Sequence, residues 1–463
     1  MFVAVVAALF ACQSPVVRPD SGYVVVQSIQ FTGNVRTRER ILTRELDFRT
    51  GDTLRTAELA ERLELNRRKV FNTNLFVTVE AQARPLTAQA VEVAFVVKEQ
   101  WYLLAFPVFS LADRNFNEWW YERNRDLRRT IYGVNLRHRN FRGRAEELKL
   151  NLELGFANYY EFFYRLPYLD RAQKIGATFG VSYQTTRNLP YRTDGDKLVF
   201  LRSDDLLRER FYANVIFRRR NRFYDFQNLE LRYTQTRIAD TVASWLNPQY
   251  LGAGQTRQRL LMVAYTYIHD FRDKAQYPLR GHYLSLGATQ WGVLPTDDHH
   301  QLDLNATYAR YRALGPRWFV AGTARGRLSF PVRQPFLQTR GLGYLNDLVR
   351  GYELYTIDGQ SFGLLRTTLK WQALDRTFFL RPLRRFRQFN TLPLAVYPNV
   401  FLDAGYVRNA YPERNASTLA NRWLVGTGAG LDFVTWYNTV FRIHYALNDR
   451  GEGGIRFNLS REF

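Results

Sequence analysis

From Gln100 to Phe463, apolar and polar residues change places at almost every second position. Glu147-Leu148-Lys149-Leu150-Asn151-Leu152-Glu153-Leu154 alternates without a break, and residues 228–233, 301–308 and 441–445 do the same. A strand turns successive side chains to opposite faces, so this period predicts strands with one greasy side and one wet side. About sixteen such runs, centred from Ala105 to Phe457, succeed one another at about 23 residues per strand and connection. The connections alternate in length. Residues 140–144, 168–172, 313–317 and 434–438 are tight turns, whereas 110–128, 188–208, 238–257 and 329–361 are long loops. Short turns on one rim, long loops on the other and an even strand count predict an antiparallel transmembrane β-barrel over residues 100–463. The competing architecture is a large soluble sandwich with its Arg and Glu in solvent. A barrel houses those charges in a polar lumen, and its closure satisfies every backbone group in lipid. One connection, residues 375–393, breaks the rule. It falls where a short turn belongs, yet it is long and mixes Arg381, Arg384, Arg385 and Arg387 with Phe378, Phe379, Phe386 and Phe389. That mixture suits lipid headgroups and equally an ordinary variable loop.

Before Gln100 the period is different. Residues 23–32 are β-rich, Gly33-Asn34 signals a turn, and residues 37–46 carry Ile41, Leu42 and Leu46 on one helical side. Gly51-Asp52 breaks that helix. Residues 56–72 form a second, and residues 75–83 and 91–97 alternate as strands. The order β-α-α-β-β predicts one small α+β domain over residues 23–98. Further upstream, residues 2–11 form an apolar run too short to span a membrane as a helix. Followed by Cys12, the run predicts a signal peptide over residues 1–11, with a linker over 12–22. Leu9-Phe10-Ala11-Cys12 resembles a bacterial lipobox, which implies a lipid on the Cys12 sulfur; the plainer alternative is a signal peptide with an incidental Cys. Either version exports the chain.

Composition narrows the choice further. Aromatic residues make up 15% of the chain, enough to bury a core, so a disordered tail protein is excluded. A single Cys excludes a disulfide scaffold. The formal net charge is +22, and only seven of the 65 basic residues are Lys. Arg forks match phosphate oxygens on nucleic acids and on lipid headgroups alike. A nucleic-acid binder concentrates charge in a stripe or tail. Here Arg is spread from Arg18 to Arg461, often at alternate positions of strands, so wet sheet faces and headgroup contacts are the expectation and nucleic acid is not.

Several short motifs resemble the BamA/TamA superfamily of outer-membrane proteins. Ile29 and Phe31 before Gly33-Asn34, Gly51-Asp52 between the helices, and Leu75-Phe76 at the second strand resemble a POTRA domain, the periplasmic module of that superfamily. Val349-Arg350-Gly351-Tyr352, in the longest loop, resembles its inner-loop VRGF/Y motif, and Phe401-Leu402-Asp403-Ala404-Gly405 resembles the thirteenth-strand motif that the loop Arg meets. The resemblance implies an Arg350–Asp403 pair inside the lumen. Lys370 stands where a second acidic partner belongs in the family pattern. Residues 270–285 and Pro167-Tyr168-Leu169 resemble further family stretches, and Ile455, Phe457, Leu459 and Phe463 resemble a C-terminal β-signal.

The implied architecture is mainly β: one POTRA domain and a sixteen-stranded barrel, in the bacterial outer membrane with the POTRA domain in the periplasm. The implied function is assembly or translocation of polypeptides. Its partners are extended outer-membrane or secreted chains, outer-membrane lipids and accessory lipoproteins. The POTRA edge captures an extended client by strand addition, and the seam between residues 101–109 and 453–463 inserts or passes it. The alternative is a passive pore, or a structural lipoprotein without a client. No enzyme activity, cofactor or metal is expected. Phosphate-cradling Gly motifs before helices are absent, and Asp297-Asp298-His299-His300 lacks a third spaced ligand.

Overall fold

A computed structural model describes residues 22–111, 116–122, 124–170, 172, 174–222, 224–344, 347–379, 381, 391–435 and 439–460. Cys12, the signal segment, Phe463 and most of the basic connection after Phe379 lie outside the described residues. The chain divides into two compact units, residues 1–102 with 139–146, and residues 103–138 with 147–463.

In the first unit, strand β1 (Tyr23–Thr32) is followed by α1 (Glu39–Thr43), β2 (Thr53–Arg55), α2 (Leu59–Phe71), β3 (Phe76–Thr87) and β4 (Ala90–Glu99). The sheet order is β2-β1-β4-β3, with β1 and β4 parallel. Val24 and Val26 of β1, Val93, Phe95 and Val97 of β4, Ile41 and Leu42 of α1, and Leu63 and Val70 of α2 are buried together as the core. The β-α-α-β-β order therefore holds with one addition. The three-residue β2, too short for its alternation to register in the sequence, pairs antiparallel with β1. The first helix is shorter than residues 37–46, because Thr37 turns instead to a polar cluster. Its hydroxyl donates to Glu99 at 2.6 Å, lies 2.7 Å from the Tyr102 hydroxyl, and accepts from Asn140 at 2.8 Å. Gly33 has φ +95°, and a Cβ there would stand 1.9 Å from the Val97 carbonyl oxygen, so the turn requires glycine.

The second unit is one antiparallel sheet in barrel order. Its staves are β5 (Leu103–Leu111), β6 (Thr130–Phe141), β7 (Glu146–Gly155), β8 (Ala157–Leu166) and β9 (Ile175–Thr186). After a hairpin of β10 (Asn188–Asp194) and β11 (Lys197–Arg202) come β12 (Arg208–Arg222), β13 (Asp225–Ile238), β14 (Arg257–Asp270), β15 (Gly281–Trp291), β16 (Gln301–Ala313) and β17 (Trp318–Phe330). The sheet ends with β18 (Ser361–Trp371), β19 (Leu374–Phe379), β20 (Thr391–Arg408), β21 (Trp423–Val434), β22 (Val440–Asn448) and β23 (Gly453–Ser460). β12 pairs back to β9, and the order brings β23 next to β5 at the seam.

Among the described residues seventeen segments make sixteen staves, because β18 and β19 lie in line along the single long strand β20. This corrects the reading of residues 375–393 as one long connection: β19 pairs Phe379 with Thr391, which leaves only residues 380–390 between the strands. It also corrects residues 188–208, which hold the β10–β11 hairpin rather than an open loop. The alternation sorts as expected. Phe162, Val181, Leu231, Leu304, Val400 and Leu402 are exposed on the outer face, while Asn151, Ser182, Asp303 and Asp403 are buried on the inner one.

Candidate functional site

The site lies where the loop of residues 331–360, between β17 and β18, folds against the inner wall made by β18, β20 and β21. Inward positions of the wall are set by register. Arg366 of β18 faces Asp403 of β20, and Asp403 faces Gly426 of β21. The loop presents Val349, Arg350, Gly351 and Tyr352 to this row. Gly351 has φ +99°, a conformation that reverses the chain and that a Cβ disfavours. Leu342, Val349, Tyr352 and Ile357 of the loop bury themselves against Phe362, Leu364, Val407 and Leu424 of the wall and Leu419 of the β20–β21 loop. That apolar contact seats the loop, and the polar contacts then orient it.

Arg350 and Asp403 are joined at two oxygens. Arg350 Nη2 lies 2.5 Å from Oδ1 and Nε lies 2.7 Å from Oδ2. The Arg350 backbone N–H also donates to Oδ2 at 3.1 Å. Asp403 is fully buried, and its charge is met by these donors and by Arg366, whose Nε lies 4.0 Å from Oδ2. The guanidinium is stacked over the Phe401 ring, 3.8 Å from its centre. A bidentate, stacked geometry of this kind is one that Lys cannot reproduce. The resemblance-based pairing of Arg350 with Asp403 is thus present in the structure.

The further contacts of Arg350 on the twelfth stave are with Thr368 and Thr367 and not with Lys370. Arg350 Nη2 donates to Thr368 Oγ1 at 3.1 Å and to the Thr367 carbonyl at 3.3 Å. Lys370 is the next inward residue on β18. Its ammonium is stacked on the Tyr277 ring at 3.9 Å, and Tyr277 donates to Asp432 at 2.8 Å. Lys370 is therefore held by groups of its own.

Glu353 is a second tie that sequence reading missed. It accepts from the Gly351 N–H at 2.9 Å, lies 3.1 Å from His444 Nε2 of β22, and accepts from Arg456 Nε of β23 at 3.3 Å. Glu353, His444 and Arg456 all have little side-chain exposure. One carboxylate thus binds the inner loop to the last two staves. Asn448 adds a bond from β22 to the Gly351 carbonyl at 3.1 Å, and Tyr352 donates to Asp449. The wall makes room by glycine: a Cβ on Gly426 would stand 1.7 Å from the Arg350 carbonyl oxygen. The only sequence signal for this is Gly426-Thr427-Gly428-Ala429-Gly430, three glycines on one face of a strand.

Along β23, Ile455 and Phe457 are exposed outward, and the backbone of Leu459 is in register with Phe441. A short helix in the β5–β6 connection, α3 (Phe116–Glu122), meets β23 from both sides of its pleat. Phe116 makes an edge contact with Phe457, ring centres 5.7 Å apart, and Arg456 lies 5.4 Å from the Tyr121 ring. Farther along the loops, Asp358 is buried. It accepts from the Tyr344 hydroxyl at 2.5 Å and from Asn415 at 3.0 Å. Burial pushes its carboxyl up to about 6.

A family model described as the Omp85 superfamily domain matches residues 140–463, and one described as a POTRA surface antigen variable number repeat matches residues 24–100. Among solved structures the chain is similar to BamA from Haemophilus ducreyi lacking POTRA domains 1–3. The identity is 16% and the TM-score 0.56, covering 94% of this chain and 84% of that one. It is similar also to CdiB from Escherichia coli, at 13% identity and a TM-score of 0.58, over 94% of this chain and 76% of that one. At these identities the likeness is one of fold. No curated protein matches the chain.

Proposed function

The chain belongs to the Omp85 superfamily, and from that premise we propose that it inserts polypeptides into, or passes them across, the bacterial outer membrane. The observation that carries the reading is the Glu353 tie. The inner loop, pinned at Arg350–Asp403, also holds His444 and Arg456 on the two staves that end at the seam. A barrel that only conducts solutes has no need to couple a lumen loop to its last strand. A barrel that opens beside that strand does. Unpaired N–H and C=O groups on an open strand edge template the pairing of an incoming strand, so no nucleotide hydrolysis is required. The POTRA domain offers β2 and β3 as sheet edges for an extended client in the periplasm. Cys12 carries lipid in the same reading, and loss of palmitate labelling in Cys12→Ser tests that part.

The direct test is a photo-crosslinking side chain placed at Ile455 on β23 in living cells. Adducts with outer-membrane or secreted polypeptides, formed during their synthesis and lost after a chase, are the expected result. A folded protein that yields no polypeptide adduct at this position would overturn the reading and leave the passive-pore alternative.

A further inference from the structure

The outer face of the barrel carries a constellation that polypeptide handling does not use. His269 is the penultimate residue of β14, His282 the second of β15, and Asp225 begins β13 in register with His269. Register places all three on the outward face, in line with the exposed Tyr265, Leu229 and Leu286. His269 Nε2 and His282 Nε2 stand 3.1 Å apart. Asp225 Oδ1 lies 2.6 Å from His269 Nδ1 and also accepts from the Tyr267 hydroxyl at 2.8 Å.

We propose that His269 and His282 form a two-imidazole binding site for a divalent transition ion of the zinc type. Three features carry this. First, two nitrogens 3.1 Å apart, each about 2.05 Å from one ion, subtend about 100° there, close to a tetrahedral angle. Second, the ring centres are 5.0 Å apart. The rings are nearly parallel, 22° between their planes, so both Nε2 edges are presented together on the same face. Third, the Asp225 carboxylate fixes the His269 proton on Nδ1, so Nε2 carries a lone pair that faces His282 and can turn to an ion. A carboxylate behind a histidine is the usual support of a metal ligand. His282 binds by moving its proton from Nε2 to Nδ1, so the ion enters without net proton release. Phe271, stacked on His282 at 5.4 Å, and Tyr224, edge-on to His269 at 6.5 Å, wall the pair and restrict ring rotation. Two positions on the ion remain for water or another oxygen donor. Imidazole donors select Zn²⁺, Cu²⁺ or Ni²⁺ over Mg²⁺ or Ca²⁺.

The test is calorimetric titration of the detergent-purified, full-length protein, free of any polyhistidine tag, with Zn²⁺ and separately with Mg²⁺. One Zn²⁺ per chain and no Mg²⁺ uptake are expected at this site. His282→Ala should weaken Zn²⁺ at least tenfold, and Asp225→Asn about 10- to 100-fold. A His299→Ala/His300→Ala double variant removes the other adjacent histidine pair and should bind as the wild type does. Heat-modifiable mobility on gels establishes that each variant is a folded barrel, and His282→Gln replaces His282→Ala where the latter is not. Wild-type affinity and stoichiometry in a folded His282 variant, or no Zn²⁺ binding by the wild type, would overturn the site.

Discussion

The carbonyl oxygen of Arg350 occupies the space that a Cβ on Gly426 would need, at 1.7 Å. Loop and wall therefore fit only while position 426 has no side chain. Gly426→Ala should displace the inner loop and lower folded yield, an overpacking effect of about 1–3 kcal/mol or more. Gly363→Ala is the contrast, because a Cβ there meets nothing within 4 Å. Protease sensitivity of the loop, compared between the two folded variants, checks the prediction. Equal protection in both would contradict it.

Arg350→Ala leaves the fully buried Asp403 carboxylate without its two-point partner. Loss of one member of such a pair costs about 3–5 kcal/mol. Arg350→Lys restores the charge but not the fork, so it should recover only part of that stability. Urea-induced unfolding of the refolded barrel orders the variants as wild type, Lys, then Ala.

Glu353→Ala strands two cationic partners on the last two staves, Arg456 and, when protonated, His444. Hydrogen exchange should rise in β22 and β23 and stay unchanged in β13 and β14. A uniform rise across the barrel would mean that Glu353 supports the whole fold and not the seam strands.

Asp358 supplies a pH dependence with a definite sign. Its carboxyl, ordinarily near 3.8, is raised to about 6 by burial. A raised carboxyl favours the folded loops in the protonated form. The stabilisation is complete below about pH 4 and is lost as pH rises through about 6. After correction for intrinsic rates, amides of residues 340–360 should exchange more slowly at pH 5 than at pH 8. Asp358→Asn should remove most of that difference.

The stave count was legible because lipid and lumen impose opposite chemistry on alternate residues, and runs such as 147–154 record it directly. Arg350 and Asp403 were legible only through their motif neighbours, since each is otherwise one charge among many. Glu353 carried no signal, because its partners His444 and Arg456 meet it through tertiary folding, about a hundred residues away in the chain. The β10–β11 hairpin escaped notice for a different reason. Leu189 is buried with the β13–β14 loop in a cluster of its own, so the hairpin does not follow the lipid-out, lumen-in rule. His269 and His282 are brought together by the β14–β15 register, which a count of residues between them does not disclose.

Depletion and complementation decide whether this Omp85 protein handles polypeptide clients with its inner loop locked. Cells depleted of the protein are supplied with wild type, Arg350→Ala or an empty vector, and the outer membrane and medium are quantified by proteomics. Specific barrels or secreted proteins should vanish on depletion, return with wild type, and return weakly or not at all with Arg350→Ala present at equal folded amount. Unchanged membrane and medium proteomes after full depletion would contradict it, and the family membership would then describe a fold without that function.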